Sequence, residues 1–152
     1  MYLIEYLLME FLVFAIGNEF RGDDGAGIYA GKLMKKKGFP VIFCGNVPEN
    51  YLDKAKDAKR IILIDAAIID EDFVVTKDLA DFKSISTHSA NLKILKDYLE
   101  KSGKEVIFIG IKPEEIGYGN KISRKVKERC KKLVDHIEDL INCIAKSERG
   151  FG

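Results

Sequence analysis

The sequence predicts an α/β fold: a mostly parallel sheet with helices on both faces. Two patterns carry that expectation. Strand-length apolar runs alternate with helix-length amphipathic segments. The strands are also apolar throughout instead of alternating with polar residues, as strands buried on both faces are. A length of 152 residues points to one domain spanning 1–152, with enough chain to bury a full core.

The elements follow in order. Phe11 to Ile16 is a continuous apolar run ending at Gly17, a buried parallel strand. Gly17 to Asp24 is a polar, glycine-containing loop. Gly25 to Lys36 reads as a helix through Ile28, Leu33 and Met34, with Gly38 stopping it. Val41 to Cys44 is the second strand. Pro48 to Ala58 suits a helix, with Pro48 in its first turn. Ile61 to Ile64 is the third strand, closed by Asp65. Phe73 to Thr76 is a shorter fourth strand, joined so tightly to the third that an antiparallel course is open to it. Ser86 and Thr87 are capping types ahead of a helix from about His88 to Leu99. Val106 to Ile111 is the fifth strand, broken by Pro113. Residues 121–145 read as one long C-terminal helix, apolar at Ile122, Val126, Leu133, Val134, Ile137, Ile141 and Ile144.

Composition narrows the function. The chain is 47% hydrophobic and 32% charged with a formal net charge of +1, so no global field draws nucleic acid or anionic membrane. Three cysteines, Cys44, Cys130 and Cys143, give an odd number with no CxxC spacing. That pattern fits a reducing, cytoplasmic setting, and all three read as small buried or half-buried side chains. Met1 to Ile16 is apolar but carries Glu5 and Glu10 and lacks a basic start and a cleavage site. It matches neither a signal peptide nor a membrane span. Residues 1–8 read as an N-terminal extension to a core of 9–146.

Ligands of open α/β sheets bind beyond the carboxyl ends of the strands. The polar residues falling there are the loop Gly17 to Gly27 with Asp23 and Asp24, then Asp65 and His88. Two carboxylates and an imidazole form an oxygen–oxygen–nitrogen set suited to a borderline divalent metal such as nickel or zinc. Each has a plainer use. Asp23 or Asp24 can cap the first helix, Asp65 can fix a turn, and His88 can simply start a helix. His136, inside the C-terminal helix, reads as structural. Gly22, Gly25 and Gly27 follow no GxGxxG pattern, and adjacent aspartates repel phosphate, so a nucleotide site is disfavoured.

The loop Gly17-Asn18-Glu19-Phe20-Arg21-Gly22-Asp23-Asp24-Gly25-Ala26-Gly27 resembles the GN-x-[LF]-x-x-D-[DE]-G-x-G signature of the hydrogenase maturation proteases. Val47-Pro48-Glu49-Asn50, Ile64-Asp65-Ala66, Ser86-Thr87-His88-Ser89 and the stretch Val106 to Pro113 match further family motifs in order, with Lys112 where Gln is usual. The V-P-E-N stretch is similar to the branch serving the formate-hydrogenlyase hydrogenase. The resemblance implies a three-layer α/β/α sandwich around a twisted five-stranded sheet. It also implies an endopeptidase that removes the C-terminal extension of a nickel–iron hydrogenase large-subunit precursor after nickel insertion. Nickel would be contacted by Asp24, Asp65 and His88 and carried by the substrate, not held permanently. Asp24 is the candidate general base, the aspartyl-protease reading. Glu49 is a weaker candidate near the cleft, equally suited to complementing a helix start. The alternative is a non-cleaving nickel-checkpoint chaperone that binds the same large subunit.

Overall fold

The computed structural model describes residues 10–82, 89–117, 119 and 121–148, without the side chains of 89–91 and 144–148. His88, Ser86, Thr87 and the 1–8 extension lie outside the described residues. Five strands form one sheet: β1 (Phe11–Ile16), β2 (Val41–Gly45), β3 (Arg60–Ala66), β4 (Phe73–Thr76) and β5 (Glu105–Ile111). Their order is β2-β1-β3-β5-β4. All neighbours run parallel except β4, which lies antiparallel on β5. The tight β3–β4 connection explains that exception, since a parallel return would need a crossover segment.

Helices α1 (Ala26–Lys36), α2 (Ser89–Lys101), α3 (Arg124–Asp135) and α4 (Ile137–Glu148) complete the fold. Strand side chains alternate between two cores. Val13, Ala15, Ile62, Ile64, Ile107 and Ile109 join Ala30 and Met34 of α1, Val126 and Leu133 of α3, and Ile137 and Ile141 of α4. Leu12, Phe14, Ile61, Leu63 and Phe108 join Leu92, Leu95 and Leu99 of α2 on the other face. The result is the expected α/β/α sandwich. Fully burying each Ile, Leu or Val contributes about 1.5–3 kcal/mol, so both faces are needed to hold the central strands.

Several element ends shift by one or two residues from expectation, and three differences matter for the packing and the site. The C-terminal helix is two helices broken at His136, whose φ of −110° and ψ of 7° leave the helical region. The break re-aims the chain so that Ile137 and Ile141 still reach the core, and Glu138 and Asp139 start α4 with acid at its positive end. The apolar period runs unbroken through the junction and hides it. Pro48–Ala55 is a 3-10 segment kinked at Tyr51, not a regular helix to Ala58. Finally, β3 continues through Ala66, which puts Asp65 inside the strand, paired with Gly110 of β5.

Candidate active site

The loop after β1 is laid down by two glycines. Gly17 adopts a φ of +138°, and a Cβ there would stand 2.2 Å from the Asp24 carbonyl and 3.6 Å from Asp65 Oδ1. Gly27, in the first turn of α1, has no room for a Cβ either: it would meet the Ile16 carbonyl at 2.3 Å and the Ile64 carbonyl at 2.5 Å. The helix start therefore sits directly on the carboxyl ends of β1 and β3. Gly22–Gly25 forms a 3-10 turn that delivers Asp23 and Asp24 into the interior, where both are buried.

Asp24 and Asp65 come together at this point. Asp65 is 4% exposed and Asp24 1% exposed. Asp65 Oδ1 accepts from the Ala66 amide at 2.8 Å. Its Oδ2 is buried and has no hydrogen-bond partner among the described residues. Burial holds the Asp65 carboxyl well above the ordinary carboxylate range; the Ala66 amide pulls the other way, and the charge of Asp24 adds to the rise. Two carboxylates so placed disfavour double ionisation. A cation placed between them would offset the cost of burying them. Neither Asp23 nor Asp24 caps α1: its N-cap is Gly25, with no side-chain cap bond. Among the described residues no third His, Cys, Asp or Glu completes a metal-holding group. The expected third member, His88, immediately precedes α2 but lies outside the described residues.

Asp23 has a different task, one that sequence reasoning missed. Its Oδ2 accepts from the amides of Glu114 (2.9 Å) and Glu115 (2.7 Å) and from Ser123 Oγ (2.9 Å). Its Oδ1 accepts from the Ser123 amide at 2.7 Å. Ser123 in turn caps α3 through Val126 N–H. One carboxylate thus ties the β1 loop to the segment after β5 and to the start of α3. Backbone bonds reinforce the tie: the Asp23 amide donates to the Glu115 carbonyl (2.8 Å), Gly117 to Arg21 (3.3 Å) and Gly119 to Phe20 (3.0 Å). From the other side Arg129 of α3 binds the Lys112 carbonyl at 2.7 Å, Glu114 Oε1 at 2.5 Å and Asp72 Oδ1 at 3.2 Å. That pairing draws the Glu114 carboxyl below its ordinary range. The only textual signals were the doubled acid at Asp23-Asp24 and a serine ahead of a helix.

Other residues fall away from the carboxylates. Lys112 Nζ reaches the Asp70 carbonyl at 3.5 Å. Glu49 is exposed in the first turn of Pro48–Ala55. His136 is exposed at the α3–α4 break. Cys44 and Cys130 are buried as expected, whereas Cys143 is exposed. Burial pushes the Cys44 and Cys130 thiols up to about 12, assisted by the charges of Glu49 and Asp23 respectively. A thiol so raised supplies no thiolate nucleophile. Among the described residues no helix is long and apolar enough to cross a membrane.

Comparison with known proteins bears on the family and the fold. The family described as hydrogenase maturation protease matches residues 30–140. A Methanocaldococcus jannaschii protein assigned as a hydrogenase maturation protease is 33% identical, covering 86% of this chain and 87% of its own. The hydrogenase 3 maturation protease of Escherichia coli K12 is 30% identical over 84% of this chain and 88% of its own. The NiFe hydrogenase maturation protease HybD from Thermococcus kodakarensis superposes with a TM-score of 0.72 at 31% identity, covering 87% of this chain and 99% of that one. The chain belongs to the hydrogenase maturation protease family and is a peptidase.

Proposed function

We propose that this peptidase removes the C-terminal extension from the large-subunit precursor of a nickel–iron hydrogenase once nickel has been inserted, working in the cytoplasm. The observation that carries the reading is the buried Asp24–Asp65 pair at the carboxyl ends of β1 and β3, with Asp65 Oδ2 left without a hydrogen bond among the described residues. Burying a carboxylate in this way is costly. The cost is offset when a cation arrives, because a nearby positive charge favours the ionised form. Nickel held in the precursor is such a cation, and it is part of the substrate. Oxygen donors from Asp24 and Asp65 with a nitrogen from His88 make a set that suits it.

In this reading the chain reads nickel by differential binding. A nickel-free precursor leaves the buried Asp65 carboxyl without a cation beside it, while a loaded precursor supplies one. The scissile bond is then held beside Asp24, which takes the proton from the attacking water as general base, a role for which geometry and proton affinity must both suit. Asp65 and His88 position the substrate metal. Asp23 keeps the loop bearing Asp24 in register without touching substrate.

The test is the intact mass of nickel-loaded and nickel-free precursor after incubation with the protein. Loss of a C-terminal peptide from the loaded sample alone supports the reading. Equal cutting of both samples removes the nickel gate, and binding without cutting of either sample contradicts the cleavage itself.

A further inference from the structure

A cleft of about 390 Å³ opens beside the carboxylate pair, lined by Gly17, Asn18, Phe20, Ile28, Phe43 and Asn46 among others. Gly17 belongs both to this cleft and to the contact with Asp24 and Asp65, so the cleft begins where the candidate chemistry ends. Its floor and wall are apolar: Ile28 is 5% exposed and Phe43 is half-buried on β2. Its lip is Phe20, a residue that is 76% exposed.

Phe20 is exposed yet held. Its amide donates to Asn18 Oδ1 at 2.9 Å, and its carbonyl accepts from Gly119 at 3.0 Å. The next residue is fixed as well, the Arg21 amide donating to the Asn18 carbonyl and the Arg21 carbonyl accepting from Gly117. A large ring kept in water on a fixed backbone is a preorganised anchor that loses little freedom when a partner covers it. At the mouth, Lys32 and Glu19 pair at 3.0 Å, leaving no net charge to select an ionised group. Asn18, with its oxygen engaged by Phe20, offers an N–H donor, and the exposed Asn46 offers both donor and acceptor. Such carboxamides match the alternating N–H and C=O of an extended peptide.

We infer that this cleft is the specificity subsite of the peptidase and accepts one uncharged apolar side chain, branched aliphatic or aromatic, from the precursor segment flanking the scissile bond. The inference rests on the function proposed above. The peptide lies across Gly17 with its backbone against Asn18 and Asn46, and the apolar side chain enters between Phe20, Ile28 and Phe43.

The experiment measures kcat/KM on nickel-loaded precursors in which each of the three residues on either side of the cut bond is replaced in turn by Leu, Ala or Asp. At one position the parent protein is expected to prefer Leu over Asp at least tenfold. Phe20→Ser, at an exposed ring, should cut that preference at least fivefold, mainly through KM. Asn46→Trp, which fills the mouth, should reverse the order of Leu and Ala at the same position. Preferences unchanged by both variants, while the parent still cuts loaded precursor, overturn the subsite and leave the peptidase reading standing. A parent protein that cuts no loaded precursor overturns both.

Discussion

Removing the Asp23 carboxylate should loosen the candidate site before it touches the chemistry. The side chain is fully buried and accepts four hydrogen bonds, two from Ser123 and one each from the amides of Glu114 and Glu115. Hydrogen bonds to a charged group contribute about 1.5–3 kcal/mol each. Glu114 and Glu115 are exposed residues, and water can replace part of what their amides lose. The two bonds at Ser123 then set the scale, and Asp23→Ala should cost about 3–6 kcal/mol. For a chain of this length, where each kcal/mol moves Tm by about 2–4 °C, the drop should be roughly 6–24 °C. Asp23→Asn is the sharper variant. It keeps volume and one oxygen, but its NH2 group would face donors wherever it replaced an oxygen. It should therefore lose most of the same stability. Guanidinium melts with a shared m-value, read beside thermal melts, measure both. A loss under about 1 kcal/mol for both variants would refute the role of Asp23 as the tie between the β1 loop, the segment after β5 and α3.

Two further outcomes follow from burial. Gly27→Ala should destabilise by about 1–3 kcal/mol or more, because its Cβ would press on the Ile16 and Ile64 carbonyls, backbone atoms that cannot swing aside; an unchanged denaturation midpoint would contradict the close approach. Asp65→Asn should stabilise the apo protein. The Asp65 carboxyl is raised in the fold, mainly by burial. The parent therefore loses stability as pH rises from the unfolded carboxylate value through the folded one, at about 1.4 kcal/mol per unit of separation. The advantage of Asn should be larger at pH 8 than at pH 4 in paired melts, and an advantage that shrinks with pH would contradict it.

Much of the fold was legible because burial on both faces leaves a simple signature. Phe11 to Ile16 and Phe73 to Thr76 carry β1 and β4 to the residue. The α3–α4 break was not legible, because Leu133, Val134, Ile137 and Ile141 keep helical spacing across His136 and only the backbone turns. The 3-10 character of Pro48–Ala55 was hidden likewise, since a proline start suits either helix type. At the site, order along the chain marked Asp24 and Asp65 as residues at strand ends, and the fold brings those two together. Their burial could not be read, because Asp65 counts as a strand residue only once Gly110 is opposite it. Asp23 was misjudged as a possible cap because its partners lie some ninety to one hundred positions away, at Glu114, Glu115 and Ser123, and sequence shows no such pairing.

The proposed function requires the Asp24–Asp65 pair to act on the scissile segment. Single-turnover cleavage of nickel-loaded precursor by Asp24→Asn and Asp65→Asn tests it most directly, with thermal melts alongside. The expected result is a rate loss of about 100-fold or more for each, the range that follows removal of a positioned general base or its partner, in variants whose melts show a folded protein. Rates within threefold of the parent in both folded variants would contradict it.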